Sequence, residues 1–317
     1  MRKWCSAILI ILIVLPIVLV GGSFFMINYS LVRPFRAQQS FTERLKNIVG
    51  ENPEIRPWVD SLLTHHLIHD TLLTMVSGER HHGVYVYARH RTGKTAILLH
   101  GYHDQAACMM PIAHIYAQMG YNVLLPDLHA HGESEGKMIQ MGWKERYDVL
   151  QWISFADSVF SDSVGFSQQV VHGISMGAAL TMSLSGEQTP PYVKCFVEDC
   201  GYTSVWDEFG DQLKAQFYLP AFPLLYTSSA LCKLQEGWSF GEASPLKQVA
   251  KCHKPMLFIH GDQDTYVASR MVDPLYRAKP SPKQLWIAKG SAHTKNYQDH
   301  RMEYAKTVKT FVDRYIH

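Results

Sequence analysis

The sequence has no C-x-x-C pair, no H-E-x-x-H run, no internal repeat and no stripe of basic residues, and its formal charge is only +2. Each absence removes a class of function. Six cysteines scattered over 317 residues make neither a disulfide framework nor a zinc ribbon, and read as buried thiols, Cys195 and Cys200 included. Near-neutral charge without a basic patch excludes a nucleic-acid partner. The 17 histidines include His65-His66, His81-His82 and His129/His131, yet none has the spacing of a ligand motif. They are therefore expected as surface or hydrogen-bonding residues, with no metal and no diffusible cofactor. Charged residues are also few, 18% against 47% apolar, which suits a packed core rather than a disordered chain. The length suits one large α/β domain or two small ones.

Charge is missing altogether from Ala7 to Met26, a run long enough to span a bilayer core. Arg2 and Lys3 precede it; Arg33, Arg36, Arg44 and Lys46 follow. A signal peptide cut near Val20-Gly21-Gly22-Ser23 is the rival reading. The apolar run continues through Phe24, Phe25, Met26 and Ile27, which favours a retained anchor over residues 1–30. Basic residues on both flanks leave the side of the body open.

Residues 31–70 read as a connector with helical pieces. Thr42 to Val49 is one such piece, stopped at Gly50, with Pro53 and Pro57 breaking the chain next. From residue 71 to 317 the pattern becomes regular. Thr71–Val76 and Gly83–Ala88 read as an antiparallel start around a Ser77-Gly78 turn. Apolar runs at 96–99, 122–125, 170–171, 196–197, 256–259 and 284–287 then alternate with helical stretches, the last from about Asn296 to Tyr315. This predicts an α/β fold with about eight strands, mostly parallel, covered by helices on both faces. Residues 203–248 break the alternation and hold Trp206, Phe209, Phe217, Tyr218, Phe222, Tyr226, Trp238 and Phe240. So long a structureless loop is improbable, and a helical cap is expected. Its aromatics either line an apolar pocket or dock the cap.

The stretch Val170–Leu180 runs from a β-branched strand through Gly173-Ile174-Ser175-Met176-Gly177 into helix-forming residues. That order is a nucleophile elbow, with small neighbours allowing a sharp turn around an exposed serine hydroxyl. Other reactive residues also follow strands, where an open parallel sheet places its ligands. They are His100-Gly101-Tyr102-His103, Asp127 to Ser134, His260 to Val267, and Gly290-Ser291-Ala292-His293. The order serine, carboxylate, histidine is the one the hydrolase arrangement uses.

With H-G-Y-H at 100–103, D-x-H-x-H-G-x-S at 127–134, G-I-S-M-G at 173–177, G-D-Q-D-T-Y-V at 261–267 and G-S-A-H at 290–293, the chain resembles the α/β-hydrolase superfamily. Within it the chain is similar to bacterial serine hydrolases that pair an N-terminal membrane segment with a small cap. The resemblance covers about residues 71–317. It implies a nucleophile at Ser175, an acid at Asp264 and a base at His293, with Asp262 and Asp199 as rival acids. It implies oxyanion donors in the backbone N–H groups of Tyr102 and Met176. His103, beside that loop, is a candidate substrate contact. The second motif departs from the family's D-x-R-G-x-G, since histidines stand at 129 and 131. The expected function is serine hydrolysis of an ester, thioester or amide through an acyl-enzyme, with an esterase acting on a small acyl substrate first. Aminopeptidase action on a short peptide is the enzymatic alternative, and a non-catalytic binding module the alternative of another class.

Overall fold

The computed structural model describes residues 2–33, 39–161 and 165–317, with side chains from residue 14 onward. Arg36, one of the flanking arginines, lies outside the described residues. In chain order come helices α1 (Arg2–Leu31), α2 (Phe41–Glu51) and α3 (Arg56–Thr64), then strands β1 (His69–Thr74), β2 (Arg80–Val86) and β3 (Lys94–Leu99). Helix α4 (Met110–Gln118), strand β4 (Asn122–Pro126), helix α5 (Glu145–Phe160), strand β5 (Gln168–Ile174), helix α6 (Met176–Ser185) and strand β6 (Val193–Asp199) follow. Helices α7 (Val205–Phe217), α8 (Leu224–Glu236) and α9 (Pro245–Val249) precede β7 (Met256–Gly261), α10 (Val272–Ala278), β8 (Lys283–Ala288), α11 (Asn296–Asp299) and α12 (Arg301–Val312). The chain forms two compact units. One is the N-terminal helix with Ser204–Ser244; the other is Arg33–Thr203 with Pro245–His317.

The larger unit is built on an eight-stranded sheet of order β1-β2-β4-β3-β5-β6-β7-β8. β2 runs antiparallel to both neighbours, and the remaining pairs are parallel. The central strands β4 and β7 are buried along their whole length, as a parallel sheet covered on both faces requires. The edge strand β1 alternates instead between half-buried and exposed positions. β4 lies on one side of β3 and β5 on the other. The connection reverses direction there, and the crevice at the carboxyl ends of β3 and β5 is where such a sheet places its ligand.

The stretch expected as a connector packs into this unit. Ser40 starts α2 with a reciprocal capping box to Glu43, and the helix runs one residue past Gly50 before ending at Asn52. The helix thus ends within one residue of the stop expected at Gly50. The apolar faces of α2 and α3, with Phe41, Leu45, Ile48, Val59 and Leu62, join the same core as Met110, Ala113 and Tyr116 of α4.

The smaller unit joins the end of α1 to the hairpin of α7 and α8. Ser204 caps α7 by accepting the Asp207 N–H, and α8 stops at Gly237 in the left-handed region. Ser23, Ile27 and Leu31 are buried, one turn apart along α1. The Ser23 hydroxyl donates to Thr227 at 2.6 Å, and Tyr29 donates to Gln216 and meets Phe217 edge-on. The aromatics of the inserted segment divide. Trp238 and Phe240 are buried, with Phe209 edge-on to Phe240, whereas Phe222 and Tyr226 are exposed and Tyr218 is 89% exposed.

Glu145 opens α5 fully buried, accepting the Gln140 N–H, and burial pushes its carboxyl up to about 7. An acid with a raised folded pKa holds its proton in the folded state while the unfolded chain releases it. Between the ordinary glutamate value of 4.5 and about 7, stability therefore falls as pH rises. Glu145→Gln is expected to match the wild type in guanidinium midpoint at low pH and to exceed it above pH ~8. A variant no better than wild type at the higher pH would show that the buried carboxyl is not ionising at a cost.

Candidate active site

Ser175 ends β5 and stands at φ 57°, ψ −118°, a left-handed backbone that a side chain rarely adopts. Two constraints hold it there. The Ser175 N–H donates to the Asp199 carbonyl at the end of β6, at 2.8 Å. The flanking glycines also permit approaches that no other residue would. A Cβ on Gly173 would run into the Gly177 backbone, and one on Gly177 into the carbonyl of Leu99 on β3, both well inside 3.0 Å. The turn is thus wedged between the neighbouring strands, and Ser175 stays 7% exposed.

The Ser175 hydroxyl lies 2.8 Å from His293 Nε2, and His293 Nδ1 lies 2.7 Å from Asp264 Oδ2. The three residues follow β5, β8 and β7, and are brought together from 118 and 29 positions apart in the chain. Asp264 is buried, and its other oxygen accepts the N–H groups of Tyr266 and Val267, at 3.0 Å each. With both oxygens bonded, the carboxylate is held in one orientation against the imidazole. The Tyr266 ring stacks on His293 at 5.0 Å.

The rival carboxylates have other partners. Asp262 accepts the Gly290 N–H at 2.7 Å and so pins the loop that carries His293. Asp199 receives the Asn296 amide at 2.6 Å and the Tyr304 hydroxyl at 2.9 Å. Burial raises Asp199 to about 6, against the pull of those two donors. Behind it, His172 lies between Tyr116 and Tyr304 at 3.2 and 3.0 Å, and burial lowers that imidazole to about 3. The Tyr304 hydroxyl donates to Asp199 and accepts from His172 Nε2, leaving Nδ1 to accept from Tyr116. This buried chain stiffens the floor beneath the elbow.

The loop after β3 carries Tyr102 and His103. His100 is fully buried, and burial lowers its pKa. Its Nε2 accepts the Leu128 N–H at 3.0 Å, so the proton sits on Nδ1 and is donated to the Gly101 carbonyl at 2.8 Å. His131 does the same from the other side. Its Nε2 accepts the His103 N–H at 3.2 Å, and Nδ1 donates to the His129 carbonyl. Burial, then the nearby His100, holds His131 well below its usual value. Two neutral histidines therefore fasten the β3 loop to the second motif. His103 is exposed and stacks on Tyr102 at 3.7 Å. Met176, the first residue of α6, is fully buried, with its N–H at the positive end of the helix.

Asp127 organises that second motif. Its two oxygens accept the N–H groups of Ala106 and Glu133 and the ring of His82, which lies 2.7 Å away. Burial would lower the His82 pKa, but Asp127 and then Asp70 outweigh it, and the ring is raised. His100, Asp127 and His131 lie in the motifs quoted from the sequence, which mark their place after buried strands but not their holding roles; His82 lies in none of them.

A family model described as serine aminopeptidase, S33 (Hydrolase_4), matches residues 91–230. The uncharacterized protein YqkD of Bacillus subtilis is 32% identical over 231 residues, covering 72% of this chain and 74% of that protein. A thermostable monoacylglycerol lipase of Bacillus sp. (strain H-257) is 32% identical over 90 residues, covering 28% of this chain and 34% of the lipase. Among solved structures, the Pyrococcus furiosus esterase Pf2001 superposes with TM-score 0.64 at 24% identity, covering 79% of this chain and 92% of the esterase. The Pyrococcus horikoshii acylaminoacyl peptidase superposes with TM-score 0.58 at 16% identity, covering 81% and 43%. The likeness to both solved structures is one of fold.

Gly177→Ala tests the wedge. The added methyl meets β3 backbone rather than a flexible side chain, so overpacking should cost at least the usual 1–3 kcal/mol or so. An unchanged denaturant midpoint would mean that the elbow has more room than the structure gives it.

Proposed function

The chain belongs to the α/β-hydrolase superfamily and is a hydrolase of that type; from that premise we propose that it is a serine hydrolase acting on a small acyl ester through Ser175, His293 and Asp264. The observation that carries this reading is the continuous hydrogen-bonded line from the Ser175 hydroxyl through both nitrogens of His293 to Asp264. A serine hydroxyl is a weak nucleophile until a base takes its proton, and a neutral imidazole does so near neutral pH. His293 Nε2 takes the proton as Ser175 attacks the acyl carbon, then returns it to the leaving alcohol as the tetrahedral species collapses to an acyl-enzyme. Water repeats the sequence and frees the acid. Asp264 keeps the imidazole tautomer and stabilises the imidazolium that forms. The backbone N–H groups of Met176 and Tyr102 are proposed to receive the oxyanion. Losing one such donor typically costs about 3 kcal/mol of barrier. His103, exposed beside Tyr102, is proposed to meet the substrate.

Aminopeptidase-type hydrolysis is the second reading, favoured by the description of the matching family model. The ester reading draws on the lipase and esterase relatives and on the aromatic inserted segment. We further propose that α1 anchors the protein in a membrane. Over Val14–Leu31 its mean hydropathy is 1.8, and from Val14 to Val20 most of its apolar side chains face outward, Ile17 being 65% exposed, while Ile27 and Leu31 are buried.

The purified full-length protein is expected to react with a fluorophosphonate probe, and Ser175→Ala to abolish labelling. Asp264→Asn should retain the fold and lower kcat by roughly 10⁴. A folded wild type that stays unlabelled would overturn the mechanism in favour of a binding module. A panel of esters, thioesters and aminoacyl amides then separates the two enzymatic readings.

Membrane fractions should hold the protein through high-salt washes and release it in detergent. A soluble form whose N-terminus begins near Ser23 would show that α1 is a cleaved leader.

A further inference from the structure

His81 is 1% exposed, and neither of its ring nitrogens reaches a hydrogen-bond partner. A buried, unpaired imidazole is costly and calls for a group to satisfy it. Glu79 Oε2 lies 3.6 Å from His81 Nε2 and 2.9 Å from His129 Nδ1. All three ligand atoms lie within 4.8 Å of one another. Two donor atoms bound tetrahedrally to zinc, at about 2.0–2.1 Å from it, lie about 3.3 Å apart. The two distances measured here bracket that separation.

We propose that Glu79, His81 and His129 form a binding site for a divalent transition-metal ion of the zinc class, separate from the Ser175 centre. Two imidazoles and a carboxylate are the donor set such an ion prefers over magnesium or calcium. The Nδ1 side of His81 faces Asp148 Oδ2 at 3.8 Å. At that distance Asp148 makes no hydrogen bond, but it stands on the side from which a second carboxylate orients a ligating histidine once the ring is drawn onto an ion. Glu79 is 36% exposed on its side chain, which gives an ion a path from solvent and leaves a fourth position for water.

The three ligands come from the turn before β2, from β2 itself, and from the second-motif loop after β4. His129 stands where the resembling family usually carries arginine. On that reading a metal ion takes the place of the arginine's positive charge, clamping the antiparallel edge of the sheet to the loop whose His131 accepts the His103 N–H. The proposed role is structural, and no step of the hydrolysis passes through it.

The test uses the full-length protein in detergent, stripped by chelation and titrated with zinc by calorimetry, with bound metal counted after desalting. One tight equivalent and a raised Tm are expected. His81→Gln and His129→Asn should each remove that equivalent, and Asp148→Asn should weaken it about 10- to 100-fold. Glu79→Gln, at a partly exposed position, covers the case in which His81→Gln fails to fold by circular dichroism. Cobalt in place of zinc should give the visible absorption of a four-coordinate site. The proposal is overturned by a wild type with no equivalent tighter than surface histidines provide. It is equally overturned by folded His129→Asn and Glu79→Gln variants that keep the tight equivalent.

Discussion

Gly173 and Gly177 sit so close to each other and to the Leu99 carbonyl that neither position has space for a Cβ. The rest of the site depends on that contact. It lets α6 start directly behind β5, drives Ser175 into a left-handed backbone, and leaves its N–H to the β6 carbonyl at Asp199. Strain of this kind persists only when its surroundings over-determine it. Here two adjacent strands and a helix do so, and the serine hydroxyl is left facing His293 Nε2.

Around the elbow, most polar work is done by buried side chains that position other groups. Asp127, His82, His100 and His131 tie the loop after β3 to the loop after β4. Asp199, Asn296, Tyr304, His172 and Tyr116 form a second chain beneath β5 and β6. Burial keeps His100, His131 and His172 neutral, so that each ring donates at one nitrogen and accepts at the other. Protonating His100 or His131 would release a backbone N–H into the core, and protonating His172 would release the Tyr116 hydroxyl. The abundance of histidine in this chain is in large part this use of imidazole as a two-ended, uncharged connector.

Much of the architecture was legible in advance because fully buried parallel strands are apolar along their whole length. β3, β4 and β7 stand out as runs at Ala96–Leu99, Asn122–Leu125 and Met256–Ile259. The elbow was legible because close backbone approach demands glycine at fixed spacing. The packing of α2 and α3 into the core was not. Their apolar positions have helical period but nothing in them names the surface they cover, so a spacer and a packed layer look alike in sequence. Gly50 marked the end of α2 to within one residue.

Asp262 and Asp264 mark the division most sharply. Both lie in the same post-strand loop, two residues apart, and their chemistry is identical. Only the path of the loop decides that Asp264 meets the His293 ring while Asp262 holds the Gly290 N–H. The same holds for Glu79, His81 and His129, whose separation of 50 residues hides a cluster that the antiparallel pairing of β2 with β4 creates. By itself the sequence determined the strand and helix order, the strained serine and the charge-free N-terminal run, because these follow from local sterics and hydrophobic period. The tertiary structure decided which carboxylate, which imidazoles and which carbonyls face one another, because hydrogen bonding depends on tenths of an ångström between residues far apart in the chain.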